Sequence, residues 1–168
     1  MILDLHDLAL RTGDRFESSF PLQMASLVLG GASYEVLVPG NVTVVVERVV
    51  GGFLVEVALR ARVYGPCARC LEEATVEVEA REQEFAPSAK DGWEESDLSA
   101  FVEDLVVDVD GIAREALVLA LPGQVLCLES CRGLCPQCGQ DLNRGTCECG
   151  GKEAEERWNK LRDLKLED

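Results

Sequence analysis

The chain has 168 residues, with 31 Asp or Glu against 16 Lys or Arg and a formal net charge of −15. That length fits one compact domain with at most a small appendage, and 47% apolar against 28% charged residues excludes wholesale disorder. The acidity argues against a general, charge-driven coat for nucleic acid, and apolar runs such as Ala116 to Leu121 fall far short of the ~20 residues that span a bilayer.

The opening MILDLHDLALR carries two Asp and no leading basic cluster, so it does not read as a secretory signal, and a cytoplasmic, membrane-free protein is expected. Phe16 to Phe20 and Tyr34 to Val38 are short strand candidates. Val42 to Val50 is rich in valine and bounded by PGN and GG, which predicts a strand and a turn into the next one. From Phe53 to Val63, one face carries Phe53, Val55, Val57, Leu59, Ala61 and Val63, and the other Leu54, Glu56, Ala58, Arg60 and Arg62. This period-two alternation predicts a strand with one buried side.

Glu72 to Phe85 alternates too but is heavily acidic, as suits a solvated face or a protected edge. Residues 66–110 hold fourteen Asp or Glu and three Lys or Arg, so the middle of the chain is its acidic block. Pro87 to Asp97 is turn-rich, and Trp93 within it is expected to fold back onto the core. Leu98 to Val109 is ambiguous between helix and strand. Gly111 to Leu121 reads as a helix, with Asp110 as a plausible N-cap, an apolar stripe through Ile112, Ala116, Leu117, Ala120 and Leu121, and Pro122-Gly123 as the stop. A second helix is predicted over Lys152 to Leu164, with Ala154, Trp158 and Leu161 on one side.

The chemistry lies in eight cysteines, at 67, 70, 127, 131, 135, 138, 147 and 149. A disulfide-stapled secreted domain is usually shorter and exported, so grouped cysteines here point to metal binding or redox work. Cys135-Pro-Gln-Cys138-Gly forms a tight knuckle, and the close pair Cys147 and Cys149 follows eight residues later, enough to close a tetrahedral zinc site. The intervening GQDLNRGT is polar and turn-forming, so bound metal must hold its shape. Cys67-Ala-Arg-Cys70 falls at the turn between two long strands, and Cys127 and Cys131 are four apart. The simplest completion is a second site from Cys67, Cys70, Cys127 and Cys131. Pairing of Cys67 and Cys70 with Cys135 and Cys138, or one zinc site plus a free pair, stays open.

A redox dithiol at Cys67 and Cys70 would belong at a helix N-terminus, whereas both flanks here are β. Catalytic zinc keeps an open position that two all-cysteine quartets lack. His6 stands alone, and no phosphate loop or serine nucleophile motif is present, so no catalytic residues are assigned and no small-molecule substrate is expected.

The order of these features resembles the YceD-like family, the large ribosomal RNA subunit accumulation proteins. The resemblance rests on Cys67-Ala-Arg-Cys70-Leu71 after a β segment, an acidic loop, Val107-Asp108-Val109-Asp110 and the helix REALVLALP. It continues through Cys127-Leu-Glu-Ser-Cys131-Arg-Gly-Leu-Cys135-Pro-Gln-Cys138-Gly, Asp141-Leu142-Asn143 and Cys147-Glu-Cys149. It implies a non-enzymatic role in synthesis, processing or stability of 23S ribosomal RNA, with that RNA or a pre-ribosomal particle as partner. Arg69, between the first cysteine pair, carries over with the cysteines. Any RNA contact is expected from Arg69, Arg132, Arg144 and Lys152, grouped around the knuckles as a local basic patch. The alternative is an acidic escort for a basic ribosomal protein, without RNA contact.

The expected architecture is α+β: mainly antiparallel β-sheet with one or two packing helices and a C-terminal cysteine-rich zinc-knuckle subdomain. It divides into a β-rich domain over 1–126, including the helix at 111–121, and a zinc-binding segment with a terminal helix over 127–168. Two structural Zn²⁺ sites are expected.

Overall fold

A computed structural model describes residues 1–89, 92–94 and 98–149. The predicted helix over Lys152 to Leu164, Lys152 itself, and positions 90, 91 and 95–97 of the acidic loop lie outside the described residues.

The fold is mostly antiparallel sheet with a single helix among the described residues. Its spine is a long hairpin of β6 (Gly52–Pro66) and β7 (Glu73–Pro87), paired without a bulge from Gly52↔Pro87 to Pro66↔Glu73. On its other side, β6 pairs first with β5 (Asn41–Val49) and then with β4 (Ala32–Leu37). The sheet is completed by β2 (Arg15–Pro21) against β5 and β3 (Leu27–Leu29) against β4.

The alternation of β6 is realised as predicted. Phe53, Val55, Val57, Leu59, Ala61 and Val63 are all buried, joined by Val42, Val44 and Val46 of β5. Each fully buried valine contributes on the order of 1.5–3 kcal/mol, so this face holds the sheet in register. The acidic stretch forms β7, whose Glu77 and Glu79 face outward and pair at 2.8 Å with Arg62 and Arg60 of β6. Trp93 does not enter the core: it is 44% exposed and tilts against the Phe85 ring, centroids 5.5 Å apart.

A second, three-stranded sheet combines β1 (Ile2–Asp4), β8 (Val102–Glu103) and β9 (Val106–Asp108). The ambiguity of Leu98 to Val109 thus resolves as a small hairpin. Its two-residue turn, Asp104-Leu105, has φ of +47° and +62°, the handedness that tight hairpins require. A 3-10 turn over Leu5–Leu8 follows β1 and buries Leu5.

The helix α1 (Val109–Ala120) begins earlier than Asp110 as cap would allow. Asp108 is the cap: its backbone is extended and its carboxylate accepts the Gly111 N–H at 3.2 Å, while Asp110 sits within the first turn. Ile112, Ala113, Ala116 and Leu117 pack the helix onto the inward side of β7 and β6, where Ala74, Val78 and Ala80 are buried. Pro122-Gly123 follows the last turn, as predicted. No helix among the described residues is long and apolar enough to cross a membrane.

Capping by Asp108 has a direct consequence. Asp108→Ala should lower stability by about 1 kcal/mol, read as a reduced urea midpoint at unchanged slope.

Candidate metal centres

The β6–β7 hairpin ends in a knuckle. After Pro66 the chain turns through Cys67-Ala68-Arg69-Cys70, closed by Cys67 N–H to Glu72 O at 2.7 Å and Leu71 N–H to Cys67 O at 3.0 Å. Leu71 completes the turn at φ +64°, a left-handed conformation rare for a bulky residue. Beyond α1, the chain comes back alongside this knuckle, where Ala68 N–H donates to Val125 O at 2.8 Å. That contact delivers Cys127 and Cys131 to the hairpin tip.

The eight sulfurs gather into two quartets that could each hold a metal ion. Of the partitions left open by spacing, the structure joins Cys67, Cys70, Cys127 and Cys131 in one and Cys135, Cys138, Cys147 and Cys149 in the other. Within each, all sulfurs lie within 4.8 Å of one another. In the first, Cys67 Sγ is 3.7 Å from Cys131 Sγ, and Cys70 Sγ is 3.5 Å from Cys127 Sγ. Four sulfurs bonded to one metal at ~2.3 Å lie about 3.8 Å apart, so the donor set and its spacing fit a tetrahedral thiolate site. All eight cysteines are free of disulfides. The first quartet is largely buried, whereas Cys138 of the second is exposed and Cys147 and Cys149 are half-buried.

The first quartet is braced by polar groups aimed at sulfur and at the chain around it. Arg69 N–H points at Cys67 Sγ from 3.5 Å, and the Asn143 amide donates to Cys131 Sγ at 3.4 Å. Asn143 is itself fixed on both ends: its Oδ1 accepts the Arg132 N–H at 2.7 Å, and its Nδ2 also donates to Asp141 Oδ1 at 2.8 Å. Asn143 belongs to the loop between the two cysteine pairs of the second quartet, so that loop directly supports the first. Cysteine spacing gave Asn143 no role; its position in the Asp141-Leu142-Asn143 run was the only signal.

The second quartet is built by the turn expected at Cys135-Pro-Gln-Cys138-Gly. Gly139, at φ +74°, donates its N–H to Cys135 O at 2.8 Å, and Cys135 N–H donates to Gln140 O at 2.8 Å. An antiparallel bridge between Leu134 and Asp141, with Leu142 N–H to Gly133 O at 2.9 Å, closes the base of this loop.

Thiol acidities follow from this geometry. Burial raises Cys67, but hydrogen bonds from the backbone of Arg69, Cys127 and Cys70 outweigh it and bring the thiol down to about 6. Cys135 is lowered to about 6 by the backbone N–H groups of Cys138 and Gln137. Their neighbours move the other way. Cys127 is pushed up to about 12, chiefly by the Cys70 sulfur, and Cys149 to about 12, chiefly by Cys138. In each quartet one thiol, Cys67 or Cys135, ionises readily, while another, Cys127 or Cys149, keeps its proton at neutral pH. A metal must displace those protons, so its affinity rises with pH and falls on acidification.

The four cationic residues singled out by sequence have different surroundings. Arg69 is a strap: its Nη1 donates to Cys131 O at 2.9 Å, its Nε to Gln124 Oε1 at 3.2 Å, and its own carbonyl accepts Leu134 N–H at 3.0 Å. Arg144 pairs with Glu72 at 2.9 Å and Asp141 at 3.2 Å. Arg132 is exposed, and its guanidinium has no partner among the described residues. Lys152 lies outside them. His6 pairs with Asp4 at 2.8 Å on the surface, remote in sequence from both quartets.

The Arg69 carbonyl also fixes the path of Gly133. Gly133 has φ +75°, and a Cβ there would stand 2.9 Å from Arg69 O. Gly133→Ala should therefore destabilise the protein by roughly 1–3 kcal/mol through backbone strain and contact with the knuckle. Chemical denaturation of the variant beside the parent checks this.

Comparisons with known proteins give the family of the chain. The sequence model of the family described as Large ribosomal RNA subunit accumulation protein YceD matches residues 55–165. The chain is 36% identical over 121 residues to uncharacterized proteins of Mycobacterium bovis and Mycobacterium tuberculosis, covering 69% of this chain and 57% of each relative. It is 29% identical over 59 residues to the chloroplastic Large ribosomal RNA subunit accumulation protein YCED homolog 1 of Arabidopsis thaliana, covering 35% of this chain and 18% of that protein. The chain thus spans a little over half the length of its mycobacterial relatives. No solved structure matches it. The matched stretch contains both quartets and the hairpin and helix that position them, and the chain belongs to the YceD family of large ribosomal RNA subunit accumulation proteins.

Proposed function

We propose that the protein is a cytoplasmic, non-enzymatic ribosome-biogenesis factor that supports synthesis, processing or stability of 23S ribosomal RNA. Its two cysteine quartets would carry structural Zn²⁺. The observation that carries this reading is the coincidence of family membership with two thiolate cages of tetrahedral spacing. Zinc suits all-sulfur tetrahedral sites and needs no redox change to hold a fold. It would supply rigidity: about 10 kcal/mol or more of binding energy per site is available to order loops that have little apolar content.

Function then follows from shape. The metal-held loops would present Arg132, exposed and without a partner among the described residues, to RNA phosphate, while Arg69 and Arg144 hold the loops in position. Arg69 and Arg144 would be positioning residues, and Lys152 would extend the contact. We place the division of labour after residue 126, with residues 1–126 as platform, 127–168 as the segment that meets the partner, and the first quartet joining the two.

A second reading is favoured by charge. Fourteen acidic residues against three basic ones in 66–110 suit a cationic protein rather than RNA, and the chain would then escort a basic ribosomal protein.

Native pull-down with identification of both RNA and protein, followed by titration with purified 23S and 16S ribosomal RNA, tests the first reading. Preferential recovery of 23S RNA is expected, with Arg132→Glu weakening association roughly tenfold and reducing its salt dependence by about one to two phosphate contacts. Recovery of basic proteins alone, with no RNA association, would contradict it and leave the second reading.

A further inference from the structure

The long hairpin has two unequal sides. β6 is paired on both edges, but β7 is paired to β6 alone. From Glu73 to Pro87 its other edge has no strand, loop or side-chain partner for the backbone among the described residues, apart from Gln83 N–H, which turns to the neighbouring Glu82 carboxylate at 3.3 Å. Because the pairing with β6 has no bulge, the odd-numbered residues share the orientation of Gln83, and their N–H groups line this free edge. The helix α1 packs against the inward face of β7.

An edge of fifteen residues is long, and proteins usually blunt such edges with lysine, proline or a bulge. β7 has no lysine, no bulge, and proline only at its end. Its charges are almost all negative. Glu77 and Glu79 are neutralised by Arg62 and Arg60, but Glu73, Glu82 and Glu84 pair with no cation among the described residues. Glu82 and Glu84 sit half-buried on the inward side, in register with Val57 and Val55. Such an edge repels anionic chains, nucleic acid included, and favours one kind of strand.

We infer that the free edge of β7 is a docking site for an extended, lysine- or arginine-rich segment of a partner protein, which adds to the sheet as an antiparallel or parallel strand. Main-chain hydrogen bonds along the edge supply affinity, and cationic side chains on one face of the added strand meet Glu82 and Glu84. This gives the second functional reading a place in the fold and rests on it. It is independent of RNA contact by the knuckles.

Two labelled peptides of alternating sequence, each about twelve residues or ~40 Å extended, separate pairing from charge. One alternates lysine with valine, and the other has the same sequence with every backbone amide N-methylated, which carries equal charge but has no N–H to donate to a ladder. The full chain should bind the first at least roughly tenfold more tightly than the second, and added salt should weaken binding. Hydrogen exchange should show new protection at the odd-numbered amides of β7, among them Thr75, Glu77, Glu79 and Arg81. The double variant Glu82→Lys, Glu84→Lys should lose about tenfold in affinity, its fold checked by the exchange pattern of β5 and β6. Equal binding of both peptides without protection of β7 would overturn strand addition and leave a charge-based escort standing. Binding of neither would overturn both. Protection of the same amides by 23S ribosomal RNA would overturn the assignment of partner.

Discussion

From the end of α1 to Cys149, the fold depends on how four sulfurs from two distant stretches of chain are held within 4.8 Å of one another. Cys67 and Cys70 arrive on the tip of a hairpin whose register is set by a buried valine face. Cys127 and Cys131 arrive from the far side of a helix packed on that same hairpin. The N–H groups of Arg69 and Asn143 are directed at these sulfurs, an arrangement that favours thiolates over neutral thiols. Several thiolates this close repel each other strongly unless a cation sits among them. The fold therefore builds the cage, and a metal would make the cage stable.

The second quartet is subordinate to the first. Its loop leans on the hairpin through the Arg69 carbonyl and through Arg144 and Glu72. In turn, Asn143 supports a sulfur of the first quartet. The two centres thus share one set of polar braces, and Arg69 serves mainly as a strap between them. That leaves Arg132 as the exposed, unpaired cation of this region among the described residues, and a single cation suits a positioned contact better than a broad electrostatic one.

Much of this was legible in sequence because it is periodic or local. The alternation of Phe53 to Val63 fixed the buried face of β6, and Cys135 to Gly139 announced its own turn. What escaped was non-local or unusual. The pairing of Ile2–Asp4 with Val106–Asp108 joins segments about a hundred residues apart, and no local pattern records it. The β8–β9 turn uses Asp104 and Leu105 at positive φ, where a glycine or asparagine would have signalled a hairpin. With acidic residues at both 108 and 110, only the bond to Gly111 distinguishes the cap. Spacing showed that Cys67 and Cys70 form a pair but could not show which pair they meet, because that depends on the path of residues 121–126.

Two structural zinc sites require that the eight sulfurs divide between two metals. Reconstitution of the reduced protein with ¹¹³Cd and correlation of each cadmium resonance with cysteine β-protons reads that assignment directly. Two resonances in the all-thiolate range are predicted, one coupled to Cys67, Cys70, Cys127 and Cys131 and the other to Cys135, Cys138, Cys147 and Cys149. A single resonance, couplings that mix the two groups, or no stoichiometric metal with the 127–149 region still ordered would contradict it.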